Sequence, residues 1–409
     1  MRITFVNLFY PPDVAASGTF VTSLAGHRSS LGDDVTVICG TGPYVRGASS
    51  AADPPSGAGA PRLVRLWTPG LGKSNTLRRL ADYLTFLISA TVRLLTLPRQ
   101  DVVVAMTSPP FVLVAAVAHR LVHPRTRIVF WCHDVYPDAA EEYGTIRRGG
   151  AASRVLRRVQ RWLFTHTDAV VALDEAMLRR LLTEYAARGR PTGMVIPNWE
   201  PLALFPADAD EARWSGYDDP RLRGRDVVLY LGNLGYGHPL GTITDAAELL
   251  DDGGVSFLFV GGGVRYPELA DEVRRRRLDN VVLRDYVPKE MTPSVLRGAL
   301  AIVITLDDRS LGIMSPCKLH GGLATGRPVI YVGPSGTNVD DAIESYGCGS
   351  SLRHGDVAGL VDAVRRMRDD RQLREELGRN ARKAFDEAYC DARTLPMFDA
   401  LFDRLRRPG

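Results

Sequence analysis

Three groups of residues in this 409-residue chain have the types and spacing to do chemistry. The first is LGNLGYGHPLGT, Leu231–Thr242, directly after the apolar run Asp226–Tyr230. Gly232, Gly235 and Gly237 crowd a strand-to-helix turn there, with Asn233 and His238 among them and Pro239 opening a helix to Leu250. Such a turn presents backbone N–H groups to an anion, commonly phosphate. The second is Gly261-Gly262-Gly263, a bare-backbone turn closing the next apolar run, Ser256–Val260. Two such turns on one edge of a parallel sheet mark a ligand crevice. The third is SPCKLHGG, Ser315–Gly322, where Lys318 sits at the start of a helix expected from about Pro316 to Ala324. The positive end of a helix dipole serves a lone ammonium poorly, and a bound diphosphate there would resolve the conflict. The plain alternatives are an ordinary β–α turn and a surface lysine.

A dinucleotide site requires G-x-G-x-x-G and then an acid at the end of the next strand to hold the ribose. Here the order is G-x-x-G-x-G, the next strand ends in glycines, and Asp251 and Asp252 precede it. A Walker lysine motif is absent as well. What remains is a phosphate cradle of another sort. In the first half, FWCHDVYPD places His133 and Asp134 at the end of the strand Ile128–Cys132. A strand-end turn with a side-chain hydrogen bond is the plain reading of that pair. Asp307 and Asp308 are adjacent and lack D-x-D spacing, so this reading requires no divalent metal.

The elements that must position these groups alternate short apolar runs with helical periods throughout, the signature of parallel α/β architecture. Strands are expected at Ile3–Asn7, Asp34–Cys39, Leu63–Leu66, Asp101–Met106, Ile128–Cys132, Ala169–Ala172 and Met194–Ile196 in the first half. Those of the second half are Val227–Tyr230, Ser256–Val260, Val281–Arg284, Ala301–Ile304 and Pro328–Tyr331. Each set fills one doubly wound sheet, so two Rossmann-like domains are expected: residues 1–200, and 201–385 after the Pro-rich join, with 386–409 a final helix returning to the first domain. The Gly-, Ala-, Ser- and Pro-rich stretch Gly40–Pro61 reads as a mobile loop.

A net charge of +4, with 24% charged and 45% hydrophobic residues, describes a globular chain and does not point to nucleic acid. The five cysteines are isolated, without a C-x-x-C pair, which disfavours zinc or a disulfide framework and fits a reducing cytoplasm. Two stretches could meet anionic lipid at the inner membrane face: 76–97, helical and apolar with basic flanks, and 147–164, with Arg154, Arg157, Arg158 and Arg161 beside apolar residues. A packing helix with a solvated arginine face is the alternative for each.

The ordered set FVNLFYPPDVAASGTFVTSLAGH, FWCHDVYPD, VIPNWEP, YLGNLGYGHPLGTITDAAELL, FVGGG, LRDYVPKEM, SPCKLHGGLATGRPVI and GRNARKAF resembles family 4 retaining glycosyltransferases of the GT-B fold. The likeness covers essentially the whole chain and is nearest to the fucosamine-transferase type acting on bacterial surface-polysaccharide intermediates. It implies two Rossmann-like domains facing each other across a cleft, with a nucleoside-diphosphate sugar, UDP-linked, bound mainly by the second. Asn233, Gly235, His238 and Lys318 would then lie at the diphosphate, with Gly262 and Val287 bordering the nucleobase and ribose. Ser17 and Gly18 match the loop closing over the donor phosphate. His133 matches the histidine that contacts the donor sugar, the catalytic position, and Asp134 beside it would orient the loop or meet the acceptor. Two departures stand out. Asn233 and His238 occupy places where most of the family carries Arg and Lys. There is also no Glu between Glu290 and Glu344, where most of the family carries a pair; Gly321 stands where the second would fall. Thr337, Asp340 and Asp341 are the candidates for a substitute contact.

The resemblance implies transfer to a lipid-linked glycan precursor, without a cofactor. Two other readings stay open: transfer to a soluble acceptor such as an aminocyclitol, and a nucleotide-sugar-binding relative that does not turn over.

Overall fold

The apolar runs become two all-parallel sheets, because strands covered by helices on both faces must be hydrophobic along their whole length. The computed structural model describes residues 1–13, 15–41, 59–71, 76–187, 191–206, 214–251 and 253–406. Most of the loop expected over Gly40–Pro61, and part of the Pro-rich join, lie outside the described residues. The chain divides into two compact units: Met1–Pro197 with Gly312–Met314 and Leu395–Gly409, and Asn198–Leu311 with Ser315–Thr394.

In the first unit, β1 (Arg2–Val6), β2 (Asp34–Gly40), β3 (Arg62–Leu66), β4 (Val102–Ala105), β5 (Arg127–Trp131), β6 (Ala169–Ala172) and β7 (Thr192–Val195) form one sheet. Its order is β3-β2-β1-β4-β5-β6-β7. Strand order reverses between β1 and β4, and ligands of such sheets bind at the carboxyl ends beside that reversal. The last helix, Asp391–Arg406, packs Phe398 edge-on to Trp131 at 4.7 Å. Its Asp399 receives His27 at 2.9 Å and the buried Arg28 at 2.7 Å, while Arg28 Nε also reaches Asp33 at 2.8 Å. A turn of π-helix, Phe385–Tyr389, and the extended Cys390 precede this helix.

The second unit holds β8 (Asp226–Asn233), β9 (Val255–Gly262), β10 (Val281–Arg284), β11 (Ala301–Thr305), β12 (Val329–Val332) and β13 (Gly349–Leu352). Their order is β10-β9-β8-β11-β12-β13, so the reversal falls between β8 and β11. Tyr230, Leu234, Ile243, Phe257, Phe259, Val303 and Ile330 belong to one buried cluster between this sheet and its helices.

Two local differences from the sequence expectation have clear causes. Strand β13, GSSL, carries little strand propensity and is held by its neighbour: a Cβ on Gly349 would fall 1.8 Å from the Val329 carbonyl oxygen. The helix expected from Pro239 begins at Gly241. Pro239 is kept in a turn because its carbonyl accepts the Thr305 hydroxyl at 2.9 Å and the Gly237 carbonyl accepts Asp307 N–H at 2.9 Å.

Candidate functional site

In the second unit the glycines act as strand before they act as turn. β8 and β9 stay in register to their ends, pairing Gly232 with Gly261 and Asn233 with Gly262. Gly261 has φ +147°, and a Cβ on it would lie 2.2 Å from the Gly232 carbonyl oxygen, so no side chain fits between the strand ends. A Cβ on Gly263, φ +128°, would meet the Leu234 carbonyl oxygen at 2.4 Å. The bare backbone therefore lets two strand ends and the following loop close upon each other.

Lys318 crosses this bare edge. A Cβ on Gly232 would touch Lys318 Cε at 3.5 Å, so the aliphatic chain runs over the glycine. Its Nζ lies 3.3 Å from His238 Nε2 and 5.0 Å from the centre of the Tyr230 ring. His238 is buried, and its Nδ1–H donates to the Thr305 carbonyl at 2.7 Å, which fixes the tautomer and turns the Nε2 lone pair to the ammonium. Burial, with the Lys318 charge next, holds the His238 imidazole down at about 3, so it is neutral. Burial also pulls the Lys318 amine below its ordinary value. Among the described residues no carboxylate pairs with Lys318. A second cation is close, since Arg265 Nη1 donates to the His238 carbonyl at 3.1 Å while its Nε and Nη2 bind Glu268. A half-buried ammonium with N–H groups to spare and no carboxylate partner has the charge and the donors to hold an anion.

Around this centre, Asn233 lies at the end of β8, and its Oδ1 accepts the Tyr286 hydroxyl at 3.4 Å. Gly235 is next to it, a Cβ there meeting Asn233 Nδ2 at 3.3 Å. Gly262 lies beneath the exposed Tyr286, whose Cε2 would be 2.9 Å from a Cβ on the glycine, and Val287 follows. Asn233, Gly235, His238, Gly262 and Lys318 thus come together. Thr337 and Asp340 are engaged elsewhere. Thr337 caps the helix Asn338–Tyr346, accepting Asp340 N–H at 3.2 Å. The Asp340 carboxylate accepts Gly336 N–H at 2.8 Å, the Ser351 hydroxyl, and Arg353 at 3.4 Å. Both its oxygens accept hydrogen bonds from within the unit. The groups that sequence reasoning passed over are Tyr230, Thr305 and Arg265. Tyr230 was visible only as a core aromatic, and Thr305 acts through its backbone.

In the first unit, helix Ala16–Ser30 starts just after β1 and carries Ser17, Gly18 and Phe20. Asn7 Nδ2 donates to Ser17 Oγ at 3.3 Å. Gly18 is tight, because a Cβ would approach the Phe9 carbonyl at 3.2 Å. His133 follows β5. Its backbone N–H donates to Thr107 Oγ1 at 3.2 Å, and its ring stacks on Phe20 at 5.7 Å and tilts against Trp131 at 5.2 Å. Its Nε2 is sealed from solvent with no hydrogen-bond partner among the described residues, and burial lowers the ring to about 3. It is a neutral imidazole with one ring nitrogen unspent, two residues beyond β5. Asp134 bridges antiparallel to Met314 of the same unit, which fixes the loop after His133.

The two lipid-facing candidates separate. On helix Thr76–Thr96 the side chains Leu80, Leu84, Ile88, Val92 and Leu95 recur at helical spacing and are all exposed. On helix Ala151–Thr165, Arg157 turns inward to Glu141 at 2.8 Å and Asp138 at 3.2 Å, and Arg161 binds the Glu184 carbonyl at 2.9 Å. Two of the four arginines there serve the fold; Val155 and Trp162 stay exposed. No helix among the described residues is long and apolar enough to cross a membrane.

Residues 16–199 match the glycosyl transferase 4-like domain family. The chain is 24% identical over 278 residues to the probable glycosyltransferase WbjE of Pseudomonas aeruginosa, a match covering 65% of this chain and 66% of that protein. It is 23% identical over 381 residues to the "putative colanic acid biosynthesis glycosyl transferase WcaI" of Escherichia coli, covering 89% of this chain and 91% of that protein. Its fold is that of Anabaena HepE, solved in complex with UDP and glucose. The TM-score is 0.72 at 14% identity, over 99% of this chain and 100% of that one.

Proposed function

We propose that this chain is a retaining glycosyltransferase of the GT-B type, moving a hexosyl or N-acetylhexosaminyl group from a UDP-sugar to an acceptor hydroxyl. The acceptor we assign is a lipid-linked precursor of a cell-surface polysaccharide. One observation carries the reading: the Lys318 ammonium, held over bare glycine backbone by a neutral His238 and paired with no carboxylate among the described residues. The glycosyl transferase 4-like match and the two named relatives support the reaction class. The UDP bound by HepE supports the donor.

On this reading the diphosphate lies against Lys318 and the strand-end amides. As the bond from the sugar C1 to the phosphate oxygen breaks, negative charge grows on the leaving diphosphate, where a preformed ammonium is most effective. The acceptor hydroxyl bonds to C1 on the same face and its proton passes to the departing phosphate oxygen. No carboxylate nucleophile of the two-acid glycosidase kind is invoked. His238 is a positioning residue, because its lone pair aims the ammonium. The exposed apolar stripe of helix Thr76–Thr96, with Arg78, Arg79 and Arg93 on the same helix, suits contact with an anionic lipid surface.

The test is nucleotide release from a panel of UDP- and GDP-sugars with a lipid-linked acceptor, together with Lys318→Ala. UDP release that the substitution abolishes supports the assignment; donor affinity and turnover untouched by it would sink the diphosphate site.

A further inference from the structure

Glu200 carries a carboxylate that the fold leaves unused. Among the described residues no hydrogen bond or ion pair engages its side chain, although its backbone is pinned firmly. Its N–H donates to the Tyr389 carbonyl and its carbonyl accepts Asp391 N–H, both at 3.2 Å, in a bridge alongside Cys390. This places it against the two elements that flank the anion receptor. On one side the Tyr389 ring packs 5.5 Å from His320, on the helix that Lys318 opens. On the other, Lys289 is the charge that Glu200 feels, three residues beyond the Tyr286 that lies over Gly262. Burial raises the Glu200 carboxyl above its usual range, and Lys289 draws it down.

Three other acids near the receptor are already engaged. Asp307 is held by Arg309 at 3.0 Å, Glu268 by Arg265 at 2.8 Å, and Asp340 by Ser351 and Arg353. The helix Lys318–Ala324 contains no acid, and at Gly321 even a Cβ would approach Leu296 Cδ1 to 3.0 Å. A nucleoside diphosphate anchored at Lys318 brings a vicinal diol with it, two hydroxyl donors suited to the two oxygens of one acceptor-only carboxylate. We propose that Glu200 is the ribose-binding residue, accepting hydrogen bonds from the 2′- and 3′-hydroxyls. The proposal rests on the reading of the Lys318 site as a nucleoside-diphosphate site.

Calorimetric titration of UDP, 2′-deoxy-UDP and inorganic pyrophosphate into the wild type, Glu200→Gln and Glu200→Ala separates the possibilities. A hydrogen bond to a charged acceptor discriminates by about 10-fold or more, so the wild type should prefer UDP over 2′-deoxy-UDP by that factor. Glu200→Ala should bring the ratio to about 1, with Glu200→Gln in between, because the amide oxygen still accepts while the charge is gone. Pyrophosphate affinity should stay at the wild-type value in both, which also shows that the variants are folded. A ratio unchanged in Glu200→Ala, with UDP still binding through Lys318, overturns the ribose assignment and leaves the diphosphate site standing. A wild type that binds neither UDP nor pyrophosphate overturns both.

Discussion

Replacing Lys318 by Met should stabilise the protein while destroying its affinity for UDP. The ammonium is half-buried, and desolvating such a charge costs up to several kcal/mol when no counter-ion is supplied. Its hydrogen bond to neutral His238 contributes about 1.5–3 kcal/mol and its contact over the Tyr230 ring about 0.5–2 kcal/mol, so the ligand-free site is close to balance or strained. Methionine keeps an unbranched apolar chain over Gly232 and removes the charge, at the expense of leaving the His238 lone pair unpaired. We expect a net gain of about 1 kcal/mol, raising the melting temperature of the second unit by about 2–4 °C. The same change deletes one partner of a charge pair with the diphosphate, worth about 2–5 kcal/mol, which is a loss of roughly 30- to several-thousand-fold in UDP affinity. Scanning calorimetry and titration of one preparation read both. The opposite signs are the point: a methionine variant that melts lower and binds UDP as the wild type does would refute the account of Lys318 as an anion receptor.

Three more predictions concern the surroundings. Gly261→Ala forces a Cβ to within 2.2 Å of the Gly232 carbonyl at φ +147°, and should destabilise the fold by about 2–4 kcal/mol in urea unfolding while weakening UDP binding. His238 and His320 are held neutral at about 3 and about 4 against an ordinary 6.5, in each case chiefly by burial. The unfolded chain therefore takes up the protons first. The stability these residues contribute is complete above pH 6.5 and is lost as pH falls towards 4, by about 2 kcal/mol for each at pH 5, so the urea midpoint should drop across that window and His320→Gln should flatten the fall. Leu84→Glu with Ile88→Glu, at positions 48% and 64% exposed, should abolish sedimentation with anionic liposomes without lowering the melting temperature; binding that persists places any lipid contact elsewhere.

The sheets were legible because parallel strands buried on both faces must be continuous apolar runs; Ala169–Ala172 and Val281–Arg284 occupy the residues expected. The helix start at Lys318 was legible too, in the turn SPCK ahead of an amphipathic run. What remained hidden depended on long-range partners. Nothing in GSSL announces a strand, because its reason lies in the Val329 carbonyl it must approach. Asp340 looked available, yet Ser351 and Arg353, distant in sequence, take its oxygens. Arg157 read as one of four surface arginines, while Asp138 and Glu141 draw it inward. Glu200 escaped notice for the converse reason: its significance is a missing partner, visible only when every neighbour has been placed.

The central claim, that the diphosphate of a nucleotide sugar sits at Lys318, is tested most directly by incubating the protein with UDP- and GDP-sugars and measuring nucleotide release, beside Lys318→Ala. The account predicts UDP release by the wild type and none by the variant. Absence of both release and nucleotide binding across the panel, or release that Lys318→Ala leaves intact, would contradict it.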